Sequence, residues 1–205
     1  MTIFEDEGDY LAFLKLLEQG RERVGMRILA YCLMPNHWHL VLRPRQATDL
    51  SDFFRWVCTT HVRRWRMHRH TNGEGHLYQG RFKSFPVQRD EHLLRVMRYV
   101  EANPLRANLV DRAEHWPYSS LWQGDREVAC QVQLDDQWIT RPAGWLRLVN
   151  RSLAENELER LRTSVVRGRP YGSDRWVQLA VKRWKLESTL RSPGRPRKQP
   201  MQKAR

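Results

Sequence analysis

The stretch Ile28-Leu-Ala-Tyr-Cys-Leu-Met-Pro-Asn-His-Trp-His-Leu-Val-Leu42 decides the fold. Two β-rich apolar runs, Ile28 to Leu33 and His37 to Leu42, flank Pro35-Asn36, a pattern that reads as a hairpin. Side chains alternate across a strand, so His37, His39 and Val41 point one way while Trp38, Leu40 and Leu42 point into the core. Two neutral imidazoles held side by side are half of a divalent-metal site. The same spacing also suits a hydrogen-bonded structural pair.

Working outward, Tyr10, Phe13, Leu14 and Leu17 recur at helical spacing, and a helix is predicted from about Asp9, its cap, to Glu18. After the hairpin, Thr48-Asp49 opens a long helix with Leu50, Phe53, Phe54, Val57, His61 and Trp65 along one stripe, ending before Asn72-Gly73. Its far end, His61 to His70, is rich in Arg and His and holds no acid. Phe82 to Gln88 is a strand candidate that Pro86 confines to an edge. Arg89-Asp90 leads into a helix from about Glu91 to Ala102, stopped by Asn103-Pro104. Helix, hairpin, helix, strand, helix is an α+β order, not an alternating parallel sheet. Two further helices are expected near Glu155 to Val166 and Ser173 to Trp184. From Ser192 the chain is basic and without apolar periodicity, which reads as disorder. The expected organisation is a domain over 1–125, a helical extension over 126–190 and a basic tail over 191–205.

The 205 residues carry 36 Lys plus Arg against 23 Asp plus Glu, a formal charge of +13, and a polyanion is the economical partner for that excess. Arginine dominates it, and nine Trp accompany it, a combination that suits nucleic acid. No apolar run reaches the length of a membrane span, and the first residues are acidic and polar, so a cytoplasmic protein is expected. Cys32, Cys58 and Cys130 lie far apart with no C-x-x-C pair, and small buried thiols are the expectation.

On the helix from Glu91, His92, Arg95, Tyr99 and Asn103 share one stripe, while Leu93, Val96, Met97 and Val100 share the other. Tyr99 and Asn103, four apart, reach the same region of space. A surface tyrosine is one reading. The other joins Tyr99 to the histidines: a divalent cation or arginine favours the phenolate or polarises a phosphodiester, Tyr99 attacks phosphorus, and a 3′-hydroxyl leaves. The bond energy is kept in a 5′-phosphotyrosine, so a second 3′-hydroxyl can rejoin strands.

These residues resemble the single-tyrosine transposases of the HUH superfamily, and among them the REP-associated tyrosine transposases. The resembling segments are Tyr31-Cys-Leu-Met-Pro-Asn-His-Trp-His-Leu-Val-Leu42, Tyr78-Gln-Gly-Arg-Phe-Lys-Ser84, Arg98-Tyr-Val-Glu-Ala-Asn-Pro-Leu-Arg-Ala107 and Trp116-Pro-Tyr-Ser-Ser120. Arg167-Gly-Arg-Pro-Tyr-Gly172, Leu186-Glu-Ser-Thr-Leu190 and Gly194-Arg-Pro-Arg-Lys198 follow in the same group. The resemblance implies a ferredoxin-like antiparallel sheet with helices on one side, the histidine strand facing the tyrosine helix. It implies His37 and His39 as metal ligands with Asn103 as the third, Tyr99 as nucleophile, and Mg²⁺ or Mn²⁺ as cofactor. The implied partner is single-stranded DNA bearing a folded REP hairpin, in a nucleoid-associated protein that is either monomer or homodimer. Arg63, Arg64, Arg66 and Arg81, with Arg195, Arg197 and Lys198 of the tail, are the candidate DNA contacts, although solvated charge describes any one of them equally well.

One departure stands out: the resembled group begins with a further strand before the first helix, whereas here Met1-Thr-Ile-Phe-Glu-Asp runs almost directly into it. A catalytically inactive hairpin-binding protein is therefore the rival reading. His68-Arg69-His70 sits in positive charge that repels a cation, so it reads as a phosphate-facing cluster. An RNA-binding protein has no RNA-specific module to support it, and zinc hydrolysis lacks H-E-x-x-H.

Overall fold

Antiparallel pairing of β1 (Arg27–Met34) with β2 (His37–Arg43) sets the register Met34↔His37, Cys32↔His39, Ala30↔Val41, and a bulge falls between Ile28 and Ala30. The computed structural model describes residues 2–70, 76–122 and 132–191. Around the hairpin run α1 (Glu7–Val24), α2 (Asp49–Arg69), α3 (Glu91–Glu101), the single turn α4 (Asn103–Arg106), a 3₁₀ turn over Ala113–His115, α5 (Trp145–Val149), α6 (Glu155–Arg167), α7 (Asp174–Trp184) and a last 3₁₀ turn over Glu187–Leu190. The fold is α+β, an antiparallel sheet with helices packed on it.

Both faces of the hairpin are covered. On one face Ile28, Tyr31, Leu33 and the half-buried Trp38, Leu40 and Leu42 pack with Phe13, Leu14, Leu17, Phe53 and Val57 of α1 and α2. On the other, Ala30, Cys32, Met34 and Val41 pack with Val96, Met97 and Val100 of α3. The predicted side-chain alternation holds, but the histidine side is not a solvent face: Val41 is buried in the second core. That is why β1 is apolar at nearly every position instead of alternating.

Helix α1 starts earlier than expected. Asp6 is its cap, accepting the Asp9 N–H at 3.0 Å, and Asp9 instead accepts the Glu5 N–H at 2.8 Å. Gly25, at φ 70°, ends the helix with its N–H on the Arg21 carbonyl. Gly20 lets α1 and α2 approach closely, since a Cβ there would stand 2.7 Å from a Val57 methyl. Thr48 does not cap α2 through its side chain, and Asp49 instead accepts the N–H groups of Arg45 and Gln46.

The strand expected over Phe82 to Gln88 does not form. Pro86 and Gln88 exchange hydrogen bonds with Tyr171, leaving Val87 in one isolated bridge to the C-terminal region and none to the hairpin. Among the described residues the sheet has two strands, with single bridges on the far edge of β1: Cys32 to Ser119 and Ile28 to Leu134. The Trp116-Pro-Tyr-Ser-Ser120 segment makes that edge. Leu33 N–H meets the Tyr118 carbonyl and Ser120 N–H the Tyr31 carbonyl, both at 2.9 Å, and Trp116 Nε1 donates to Leu33 O at 2.8 Å.

Residues 132–191 share the α3-side core, to which Trp145, Val149, Leu153, Leu158, Leu161 and Tyr171 belong. Buried Glu101, at the end of α3, ties three segments together. It accepts from Ser120 Oγ (2.9 Å), Arg141 Nη2 (3.0 Å) and Trp145 Nε1 (2.7 Å). Cys32 is buried and Cys58 half-buried, both free, and Cys130 lies outside the described residues. No described helix is long and apolar enough to cross a membrane.

Candidate active site

The hairpin register aims His37 and His39 toward α3. His37 stands at the exposed tip and His39 one rung deeper. Their Nε2 atoms lie 3.0 Å apart with the rings nearly perpendicular, at 88°. Asn36 Oδ1 sits 2.6 Å from His37 Nδ1. Assigning the Nδ1 proton to that contact leaves the His37 Nε2 lone pair facing His39. Burial lowers the His37 pKa. Burial, then the nearby His37 and Arg106, push His39 down to about 3, so both rings are neutral near pH 7. Two nitrogens each about 2.1 Å from one ion stand roughly 3.0–3.4 Å apart, so this donor pair has the separation a shared cation requires.

Tyr99 arrives from α3. The apolar stripe of that helix lies on the hairpin, which brings the Tyr99 ring beside His39 with centroids 6.1 Å apart at 82°. The rest of the predicted polar stripe is not a free surface. His92 is buried, 2.7 Å from Asp90 and against Tyr171, and Arg95 pairs with Glu157 of α6. On the same helix, Arg98 donates to the carbonyls of Arg151 and Ser152.

Asn103 follows Tyr99 by one helical turn, and its side chain is engaged. Its amide donates to the Tyr99 and Val100 carbonyls, both at 3.1 Å, and its Oδ1 accepts from Arg106 at 2.6 Å. These contacts satisfy carbonyls at the end of α3 that helical bonding leaves open. Arg106, which sequence spacing does not single out, also donates to the Tyr99 carbonyl at 3.0 Å and stacks 4.0 Å from the Tyr99 ring centroid. The signal for it is the break at Ala102 with Pro104 opening α4, which folds the chain back over α3. Nor does spacing point to Asn36 as the partner of His37.

The structure thus joins His37, His39 and the Tyr99 ring at one place, with Asn103 bonded to the Tyr99 carbonyl. The basic candidates lie elsewhere. Arg63 and Arg64 are exposed and Arg66 half-exposed on α2, which covers the opposite face of the hairpin. Arg81 is exposed beside Phe82, whose ring packs on Phe54 of α2. Arg195, Arg197 and Lys198 fall outside the described residues. Arg69 is not phosphate-facing as expected, because it pairs with Glu5 and, at 2.6 Å, with Asp9. Asp90, Glu91 and His92 form an acid and imidazole cluster with ligand atoms within 4.8 Å, but Asp90 there serves as the cap of α3, accepting the His92 N–H.

Comparison with known proteins places this arrangement. The pattern described as "Transposase IS200 like" matches residues 1–103, a span that runs from the first helix through both histidines, Tyr99 and Asn103. The chain belongs to the IS200-like transposase family. A relative in Haemophilus influenzae carries the name "Putative REP-associated tyrosine transposase" and is 25% identical over 143 residues, covering 65% of this chain and 79% of that protein. No solved structure matches the chain. Residues 132–191, which cover α3, lie beyond the part of the chain that the family pattern matches.

Proposed function

We propose that this transposase cleaves and rejoins single-stranded DNA at REP hairpins through a covalent bond to Tyr99, with Mg²⁺ or Mn²⁺ held by His37 and His39. The reading rests above all on two converging imidazole nitrogens 3.0 Å apart with one tyrosine ring beside them. Family membership and the name of the Haemophilus influenzae relative support the reaction class and the hairpin substrate. When bound, the cation would draw charge from the scissile phosphate. Tyr99 Oη forms the new bond to phosphorus, its proton passes to solvent, and the P–O3′ bond breaks to release a 3′-hydroxyl. The reverse step, with another 3′-hydroxyl as attacker, frees Tyr99 and joins the strands. Asn103 would hold the end of α3 and, through it, the place from which Tyr99 attacks. Exposed Arg63, Arg64 and Arg81, with Arg66, Arg195, Arg197 and Lys198, are the proposed phosphate contacts.

The test mixes the protein with an end-labelled single-stranded REP hairpin and Mn²⁺, then separates products on a denaturing gel. A protein-linked band is expected, absent in Tyr99→Phe with hairpin binding retained. His39→Ala is expected to abolish metal-stimulated cutting. Cleavage surviving Tyr99→Phe removes Tyr99 as nucleophile, and tight binding without any band selects the silent hairpin-binding protein.

A further inference from the structure

Arg106 grips the segment that carries Tyr99 from two directions. Its guanidinium touches Tyr99 twice, over the ring at 4.0 Å and at the backbone carbonyl at 3.0 Å, and it bonds Asn103 Oδ1 at 2.6 Å. Two of its five N–H donors are therefore spent on the segment that carries Tyr99. The group is half-buried, and no carboxylate pairs with it among the described residues. By contrast Arg69, Arg95 and Arg141 each pair with an acid. A partly desolvated cation without a counter-ion costs stability unless an anion arrives to meet it.

The Tyr99 ring has His39 at 6.1 Å, nearly perpendicular to it, and the Arg106 guanidinium over it at 4.0 Å. Removing Arg106 would leave the ring face open and take one donor from the Tyr99 carbonyl. Resting on the reading of Tyr99 as nucleophile, we infer that Arg106 is the positioning residue of this site, clamping Tyr99 by ring and backbone against the histidine pair and setting an uncompensated positive charge at its side. Lysine keeps the charge but replaces the clamp only in part, because an ammonium lacks both the stacking plane and the fork that spans two carbonyl oxygens.

Two readouts test this on the full-length protein. The first is NMR of ring-labelled tyrosine without metal or DNA, the Tyr99 signal being assigned with Tyr99→Phe. Arg106→Gln is expected to shift and broaden that signal while the other five tyrosines hold their positions. An unchanged Tyr99 signal overturns the inference whatever the activity proves to be. The second is the rate of covalent-adduct formation at saturating hairpin DNA. It is expected to fall on the order of 10²-fold in Arg106→Gln and by a smaller factor in Arg106→Lys, with DNA affinity within about threefold of the parent. Added methylguanidinium should restore part of the rate in Arg106→Ala. Rates unchanged within twofold, or a loss wholly explained by weaker DNA binding, overturn it. Adduct formation that persists in Tyr99→Phe refutes the nucleophile reading instead, and the NMR result then decides on its own whether Arg106 clamps the ring.

Discussion

His61 shows how a single residue couples the core to pH. It lies buried on α2 between Phe4 and Phe13, with Nδ1 2.6 Å from the Tyr78 hydroxyl. Burial pushes its pKa from 6.5 down to about 4, against an opposing pull from Asp9. The unfolded chain therefore takes up a proton as pH falls below 6.5 that the folded chain refuses until about 4. The stability tied to His61 is complete above pH 6.5 and is lost progressively as pH falls through 4, a change of about 3 kcal/mol. His61→Gln, which keeps a partner for Tyr78 and does not titrate, should make the fall in denaturant midpoint between pH 6.5 and 4 shallower, the remaining slope coming from His37 and His39. An equally steep fall in the variant refutes the assignment. At this scale the site was partly legible. The parity of His37 and His39 and the position of Tyr99 follow from spacing alone, whereas Arg106 does not, since its approach depends on a tight turn at Pro104 that periodicity does not describe.

Among elements, α3 bears the most consequence, because its packing on the hairpin decides where Tyr99 sits. Met97 is fully buried between β1 and the C-terminal region. Met97→Ala should cost about 3 kcal/mol, read as a lower urea midpoint with unchanged slope, since the cavity is closed in on every side. A loss below about 1 kcal/mol would mean that α3 is not anchored there. The sequence revealed the two faces of this helix but not what covers the polar one. His92, Arg95 and Arg98 look solvent-facing by composition, and long-range partners at Tyr171, Glu157 and Arg151 satisfy them. The strand expected at Phe82 to Gln88 failed for a related reason. A β-rich run takes whatever edge is available, and here the edge belongs to Tyr171.

For the whole molecule, Glu101 is the joint. One buried carboxylate receives the β1-edge segment through Ser120 and the C-terminal region through Arg141 and Trp145. Glu101→Ala would leave the Trp145 N–H and the Ser120 hydroxyl without their buried acceptor and take from Arg141 its buried carboxylate, leaving it Asp136 and the Leu29 carbonyl. It should lower stability by roughly 3–5 kcal/mol, seen as a large drop in thermal midpoint and as new proteolytic cuts between 132 and 191. Thermal midpoints within a degree or two of the parent would show that the three segments hold without it. The hairpin and the longer helices could be read from sequence because each rests on local periodicity. This joint could not, because it is built from residues 19 to 44 positions away that carry no local pattern.

The bulge at Leu29 bears on which changes of chain length the molecule can absorb. Removing Leu29 would leave an unbroken ladder in which Ile28 and Ala30 keep their own faces, at the cost of one buried leucine. Removing any one residue from Tyr31 to Trp38 would slip the pairing, and the imidazoles would meet different cross-strand neighbours or the opposite face. Descendants of this gene can therefore lose Leu29 while keeping the histidine geometry, whereas loss of any one of the eight residues after Ala30 would destroy it.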